Sequence, residues 1–262
     1  MATYQARIED LIGSPSDTQL INDSLSDASR EIINLAPSTL LWSVTTTSSD
    51  QTSNSYTLAG VKVLQVIREN GVDGQYVTCK EVPMSYERKV QDVNSMFFPS
   101  KQEPVFFRKD NSISVFPAPG ASPNAFKVNY VVFPAIAFSE SAGDNQFPLD
   151  WDGALVYGAS LRICNRLMTD VITEYDDATT KAQNLIDGAT MAGDTEPQST
   201  QYWLNDEDPE MVQATLSTAG QELSRAQALL GKRQSLQQTY ENIKGLYTQE
   251  LQILFPKPQT GG

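Results

Sequence analysis

Histidine is absent from the 262 residues. Its absence removes the commonest general base, the commonest metal ligand and every Ser–His or Cys–His nucleophile pair. Cysteine is scarce: Cys79 and Cys164 stand alone and far apart, which fits a reducing compartment with neither a disulfide framework nor a zinc site. Basic residues are short as well. Lys and Arg number 19 against 32 Asp and Glu, a net charge of −13, so the chain lacks the basic footprint of a nucleic-acid binder. An ordinary acidic soluble protein shows the same balance. No apolar run approaches the roughly 20 residues of a membrane helix. The opening Met1-Ala2-Thr3-Tyr4-Gln5-Ala6-Arg7 has no apolar h-region, so a secretory signal is not expected. With 40% apolar residues, the chain can bury a sizeable core, as one elaborated domain or one domain with a helical extension.

Phosphate-binding loops, dinucleotide fingerprints, nucleophile elbows and H-E-x-x-H are all missing. Two acidic clusters remain: Glu174, Asp176 and Asp177, then Asp206, Glu207, Asp208 and Glu210. A glycosidase needs only two carboxylates. Both clusters are read at helix boundaries, however, where capping and the helix dipole favour acids anyway, and neither has calcium-loop spacing. The aromatic pairs Phe97-Phe98, Phe106-Phe107 and the Phe116-Pro117 step read as core and strand-edge residues rather than a ligand pocket. Cys164 reads as a small buried apolar residue. No catalytic residue, metal ligand or cofactor site is expected.

What is present is periodicity. Ser16 with Gln19 forms a capping-box pattern. Ile21, Leu25, Ala28, Ile32 and Leu35 then make the apolar stripe of a helix that Pro37 ends. Residues Ser43–Thr57 are nearly all polar and read as an exposed loop or long hairpin arm with nothing to enter a core. β structure follows: Val61–Arg68, Tyr76–Val82, and the hairpin Val105–Lys109 and Ser112–Phe116 around Asp110-Asn111. Phe126, Val128, Tyr130 and Val132 alternate with Lys127 and Asn129, a strand with one wet face. Pro83–Val93 reads as a short helix.

After Phe147-Pro148 the period returns to that of a helix. Asp150 is the expected N-cap, and Ala154, Tyr157, Leu161, Cys164 and Met168 form a stripe. Gly158, Ala159, Ile163 and Leu167 leave much of the remaining circumference small or apolar, the mark of a helix buried between neighbours. Arg162 and Arg166 share one face; they either bridge to acids on a neighbouring subunit or pair with local acids such as Asp170. A second helix is read near Asp177–Ile186, then a polar linker. Asp208 and Pro209 open a long C-terminal helix, on which Leu236, Tyr240, Ile243, Tyr247, Leu251 and Leu254 form a stripe that needs a partner. A Pro-rich tail closes the chain. The segregation of helices from strands predicts α+β: a helical bundle with an inserted antiparallel β region and a long C-terminal helix.

In layout and local flavour the chain resembles the head-to-tail adaptor (connector) proteins of tailed bacteriophages, as in short-tailed phages. Three stretches carry the resemblance: Ile21–Ile32 leading to Pro37 and Leu41-Trp42; Val61 through Ile113-Ser114-Val115-Phe116-Pro117 to Val128-Asn129-Tyr130; and Phe147-Pro148-Leu149-Asp150 before Ala154–Ser160. The resemblance implies a structural virion protein at the capsid–tail junction, made in the host cytoplasm. It implies a homo-oligomeric ring, commonly a dodecamer, bound to the portal protein and to tail (nozzle or tail fibre) proteins. DNA would pass through without specific binding, as an acidic wall would allow, and no cofactor or membrane is implied. On this layout residues 1–190 are the adaptor core, with helices 16–36 and 150–187 and the β region 58–133. Residues 191–208 are a polar linker, and 209–262 a helical extension and tail. Tyr157, Gly158, Leu161, Arg162 and Arg166 would meet the neighbouring subunit. Tyr240, Ile243, Tyr247, Leu251, Leu254 and Phe255 would dock on the portal, while the Ser43–Thr57 arm and the Asp110-Asn111 hairpin would face tail proteins. The rivals are another neck or minor tail protein, a carboxylate-based glycan hydrolase using Glu174 or Asp208, and a helical scaffold with no viral link.

Overall fold

Helix starts are set by side-chain oxygens that accept backbone N–H groups. In the computed structural model, which describes residues 2–15, 17–141, 143, 147–187 and 199–256, α1 (Tyr4–Ile12) is capped by the Thr3 hydroxyl. α2 spans Thr18–Leu35. The Asp17 carboxylate accepts from the N–H groups of Gln19 and Leu20 at 3.0 and 3.2 Å, so Asp17 does the capping. Ser16, the expected cap, lies outside the described residues. Ile21, Leu25, Ala28 and Ile32 are buried as the stripe predicts, but Leu35 is exposed and Ile33 is buried in its place. The helix ends at Leu35, and Pro37 leads into the single turn α3 (Ser38–Leu41), so the last stripe position has no wall to face.

The chain divides into two compact units. One comprises Ser26–Ile136 and Ala142–Asp152; the other comprises Met1–Leu25, Ala137–Ser141 and Gly153–Gly262. The first unit holds the strands. β1 (Thr46–Thr47), β2 (Ser55–Thr57), β3 (Val61–Glu69), β4 (Tyr76–Thr78) and β5 (Lys80–Glu81) precede the short α4 (Glu87–Gln91), and β6 (Val105–Lys109), β7 (Ser112–Phe116) and β8 (Phe126–Val132) follow it. They form two four-stranded sheets, β1-β8-β3-β4 and β2-β7-β6-β5. All pairs are antiparallel except the two-residue β5–β6 pair. Val66, Phe126 and Val128 of one sheet share a core cluster with Phe106, Ile113 and Val115 of the other.

Two segments each serve both sheets. The Ser48 N–H donates to Val128 O and the Gln51 N–H to Phe126 O in one sheet; farther on, Asn54 O accepts from the Val115 N–H and the Leu58 N–H donates to Asn111 O in the other. Likewise the Cys79 N–H donates to Val66 O, and the Lys80 and Val82 N–H groups donate to Pro104 O and Phe106 O. Residues 43–57 are therefore not the free arm that their composition predicts. Ser48 is buried, and its hydroxyl accepts from the Val128 N–H at 3.0 Å. A ladder needs backbone groups, not apolar side chains, which is why a polar segment can be built in.

The hairpin around Asp110-Asn111 forms with the predicted strand limits, and Asp110 takes a positive φ of 53° at its turn. β8 departs from simple alternation. Phe126 and Val128 are buried, then Asn129 and Val131, because the opposing strand slips register between Val63 and Gln65 and switches the faces. Buried Asn129 is satisfied across the sheet, donating to Gln65 Oε1 and accepting from Thr47 Oγ1.

At the end of β3, Arg68 and Glu69 are both buried. The guanidinium donates to the carbonyls of Pro117, Glu69 and Ala118, and burial pushes its pKa down. The Glu69 carboxylate accepts from the Gly74 and Ala125 N–H groups and from the Ser122 hydroxyl. Lys62 on β3 donates to the carbonyls of Ile33, Asn34 and Ala36, where α2 ends.

In the second unit, α5 runs unbroken over Asp152–Asp187 and α7 over Pro209–Leu254, with the short α6 (Thr200–Asn205) between them. The separate helix expected near Asp177–Ile186 is the last third of α5. Nothing between Met168 and Asp177 is Gly or Pro, so nothing ends the helix there. A 3₁₀ turn, Leu149–Trp151, precedes α5 and contains Asp150, which is thus not its N-cap. The linker region is partly helical: Ser199 caps α6, while residues 188–198 lie outside the described set. α7 starts as its sequence predicts, with Pro209 in the first turn and the Asp208 carboxylate accepting from the N–H groups of Glu210 and Met211.

Candidate functional site

The α5–α7 pair carries most of the residues that the sequence singles out. Its direction follows from two contacts. The Cys164 Sγ–H donates to Leu236 O, and Thr200, whose hydroxyl donates to Leu185 O, shares a 3.0 Å hydroxyl contact with Thr215. As α5 advances, α7 recedes, so the helices are antiparallel. Val171 and Ala178 meet Ala226 and Leu229 in a core flanked by Tyr175 and Leu236. Small residues at this seam let the helices approach closely.

The expected subunit-interface residues sit on the first half of α5. Gly158 is buried and packs within the chain, whereas Tyr157, Leu161 and Arg162 are half-buried and Arg166 is exposed. Arg162 donates to Gly158 O at 3.0 Å, and Arg166 pairs with Asp170 at 3.3 Å. The several-sided burial of α5, covering Ala154, Leu155, Val156, Ala159 and Ile163, is supplied by the chain itself. A close approach occurs at Gly153, where a Cβ would stand 2.7 Å from Glu250 Oε1 of α7.

That contact also bears on the expected docking stripe. Ile243 is buried in the chain's own core, while Tyr240, Tyr247, Leu251, Leu254 and Phe255 are half-buried. The outward apolar residues of this end are Leu246 and Ile253, 41% and 74% exposed. They are seven residues apart and off the main stripe, and that repeat was the signal that could have found them.

The acidic clusters do other work. Glu174, Asp176 and Asp177 lie inside α5 rather than at a helix boundary, exposed, with Lys181 paired to Asp177 at 3.2 Å. Asp208 caps α7. Among the described residues no group of three or more His, Cys, Asp or Glu is placed to hold a metal ion, and no helix is long and apolar enough to cross a membrane. Both cysteines are free and buried. Burial pushes the Cys79 thiol up to about 12 and Cys164 upward too.

Of the aromatics, Phe106, Phe107 and Phe116 are core, as expected. Phe97 is not. It is half exposed and meets Tyr86 edge-to-face at 5.8 Å, with the Lys89 ammonium 5.0 Å from both ring centres. Phe97, Tyr86, Met96 and Val82 line an open hollow of about 830 Å³.

Against known families, residues 1–201 match the model described as SU10 adaptor protein. No curated protein matches the chain.

Proposed function

We propose, from the premise that this chain belongs to the SU10 adaptor protein family, that it assembles as a ring beneath the portal at the head–tail junction of a bacteriophage virion. The family fixes the coarser statement: the chain is a phage adaptor, a structural protein that works among portal and tail components. The match over 201 of 262 residues is the observation that carries the reading.

The finer assignments follow the surfaces. Tyr157, Leu161, Arg162 and Arg166 on α5 face the neighbouring subunit of a ring, commonly twelve-fold. The C-terminal end of α7, through Tyr240, Tyr247, Leu251, Leu254 and Phe255 with the exposed Leu246 and Ile253, docks on the portal. Gly158 and Ile243 support these surfaces from within. The turn at Asp110-Asn111 faces the tail proteins. A net charge of −13 supports a wall past which DNA slides without adhering, and such a role needs no catalysis and no cofactor. The three-part division of the chain into core (1–190), linker (191–208) and extension (209–262) is part of the same proposal.

Electron microscopy of the purified protein, alone and mixed with purified portal rings, tests this. Added density in register with the portal subunits is expected. Portal rings that remain bare at saturating protein would refute the portal-bound ring.

A further inference from the structure

α7 bears a second apolar stripe that its own chain covers only in part. Val212, Leu216, Ala219, Leu223, Ala226 and Leu230 recur at spacings of four, three, four, three and four. That repeat keeps one seam of a helix turned toward a supercoiled partner. Ala219 and Ala226 are buried, while Leu216, Leu223 and Leu230 are 49%, 45% and 38% exposed. The leucines form a ridge about 21 Å long at 1.5 Å per residue. α5 covers the Ala226 and Leu229 side of α7, which leaves the three leucines beside it open to a second neighbour.

Where the ridge reaches Leu230, a groove of about 320 Å³ opens along the α5–α7 seam, with Ile172 and Leu230 exposed at its lips and Asp176 and Arg233 in its walls. The two helices bear opposite charge at this level. From Asp170 to Asp177, α5 carries Asp170, Glu174, Asp176 and Asp177 and no base. From Arg225 to Arg233, α7 carries Arg225, Lys232 and Arg233 and no acid. Asp176 and Arg233 form no ion pair with each other among the described residues. The apolar ridge with its basic stretch on α7 and the apolar lip with its acidic stretch on α5 are complementary to each other, so the ridge of one copy suits the lip of another.

We propose that this is a self-association site. The Leu216–Leu223–Leu230 ridge of one copy packs along α5 of a second copy over Ile172, and Arg233 of the first copy faces Asp176 of the second. Two different surfaces meet, so the contact repeats from copy to copy in one direction, as a closed ring requires. The inference rests on the ring reading above and adds to it a specific contact between copies, the leucine ridge of α7 against the Ile172 region of α5.

Sedimentation velocity of the full chain over a concentration series, without and with portal rings, tests it. Wild type is expected to assemble. Leu223→Lys, at a position already half exposed, is expected to lower the assembled fraction at least tenfold with an unchanged helical circular-dichroism signal. Arg233→Glu and Asp176→Arg are each expected to weaken assembly alone, and their equimolar mixture to restore it, because every contact between alternating copies is then oppositely charged. Restoration on mixing cannot come from a folding defect. If wild type and all three variants assemble alike, or if mixing the charge variants restores nothing, this surface is wrong while the ring reading stands. If wild type assembles neither alone nor on portal rings, the ring reading falls and this inference with it.

Discussion

Glu69→Gln probes how the end of β3 is locked, and its cost can be worked from the hydrogen bonds. Glu69 is buried, with Oε1 accepting from the Gly74 N–H at 3.1 Å and the Ser122 hydroxyl at 3.2 Å, and Oε2 accepting from the Ala125 N–H at 2.9 Å. A carboxylate accepts at both oxygens, whereas a carboxamide accepts at one and donates at the other. If the amide oxygen keeps Gly74, its NH₂ meets the Ala125 N–H; if it flips, it meets Gly74 instead. The Ser122 hydroxyl can rotate to adapt, but the backbone N–H groups cannot. One of them loses its acceptor, which costs about 1–3 kcal/mol for a buried donor. Bonds that were charge-assisted also become neutral, bringing the total to about 2–4 kcal/mol. Urea unfolding followed by circular dichroism gives the global change, and amide exchange at Gly74 and Ala125 gives the local one. A loss below about 0.5 kcal/mol, within the range of ordinary surface changes, with both amides still protected, would refute this account of the carboxylate.

Lys62→Met is expected to cost about 1–2 kcal/mol, since the ammonium satisfies three carbonyls at the end of α2 from a partly exposed site; thermal melts of the pair measure it. Cys79 should resist maleimide at pH 8 until the chain unfolds, because burial holds its thiol far above the ordinary thiol range. The same shift has a sign in stability. Between the ordinary thiol value of 9.0 and about 12 the unfolded chain releases this proton first. Wild type should therefore lose stability as pH rises through that window, by at most about 1.4 kcal/mol per pH unit. Cys79→Ala lacks this slope, and parallel melts of the two proteins would expose its absence in wild type.

Much of the helical layer was legible because burial imposes its period on sequence. The stripe from Ile21 to Ile32, the Asp208-Pro209 start and the Asp110-Asn111 turn all formed where their chemistry predicts. Residues 43–57 were illegible for the opposite reason: their pairing uses backbone groups, which every residue type supplies. Arg68 and Glu69 look like charges at a strand end, and only the loops folding back over them reveal that both are buried. At the candidate site, the main stripe of α7 drew attention to residues such as Ile243 that the chain uses for itself. The outward leucines, seven apart, were hidden by that stronger signal. α5 misled similarly, since a helix apolar on several sides needs neighbours but does not say whether they belong to the same chain.

Sheet edges usually fray independently, which makes edge amides the first to exchange with solvent. Here the strand that borders one sheet continues as the border of the other, at both margins: β1 runs on into β2, and β4 into β5. Peeling β1 from β8 pulls on the residues that hold β2 to β7, and lifting β4 from β3 pulls on β5. Local opening thus becomes a joint event for both ladders. The β region should exchange its marginal and central amides with nearly the same opening free energy, behaving as one cooperative block from rim to rim.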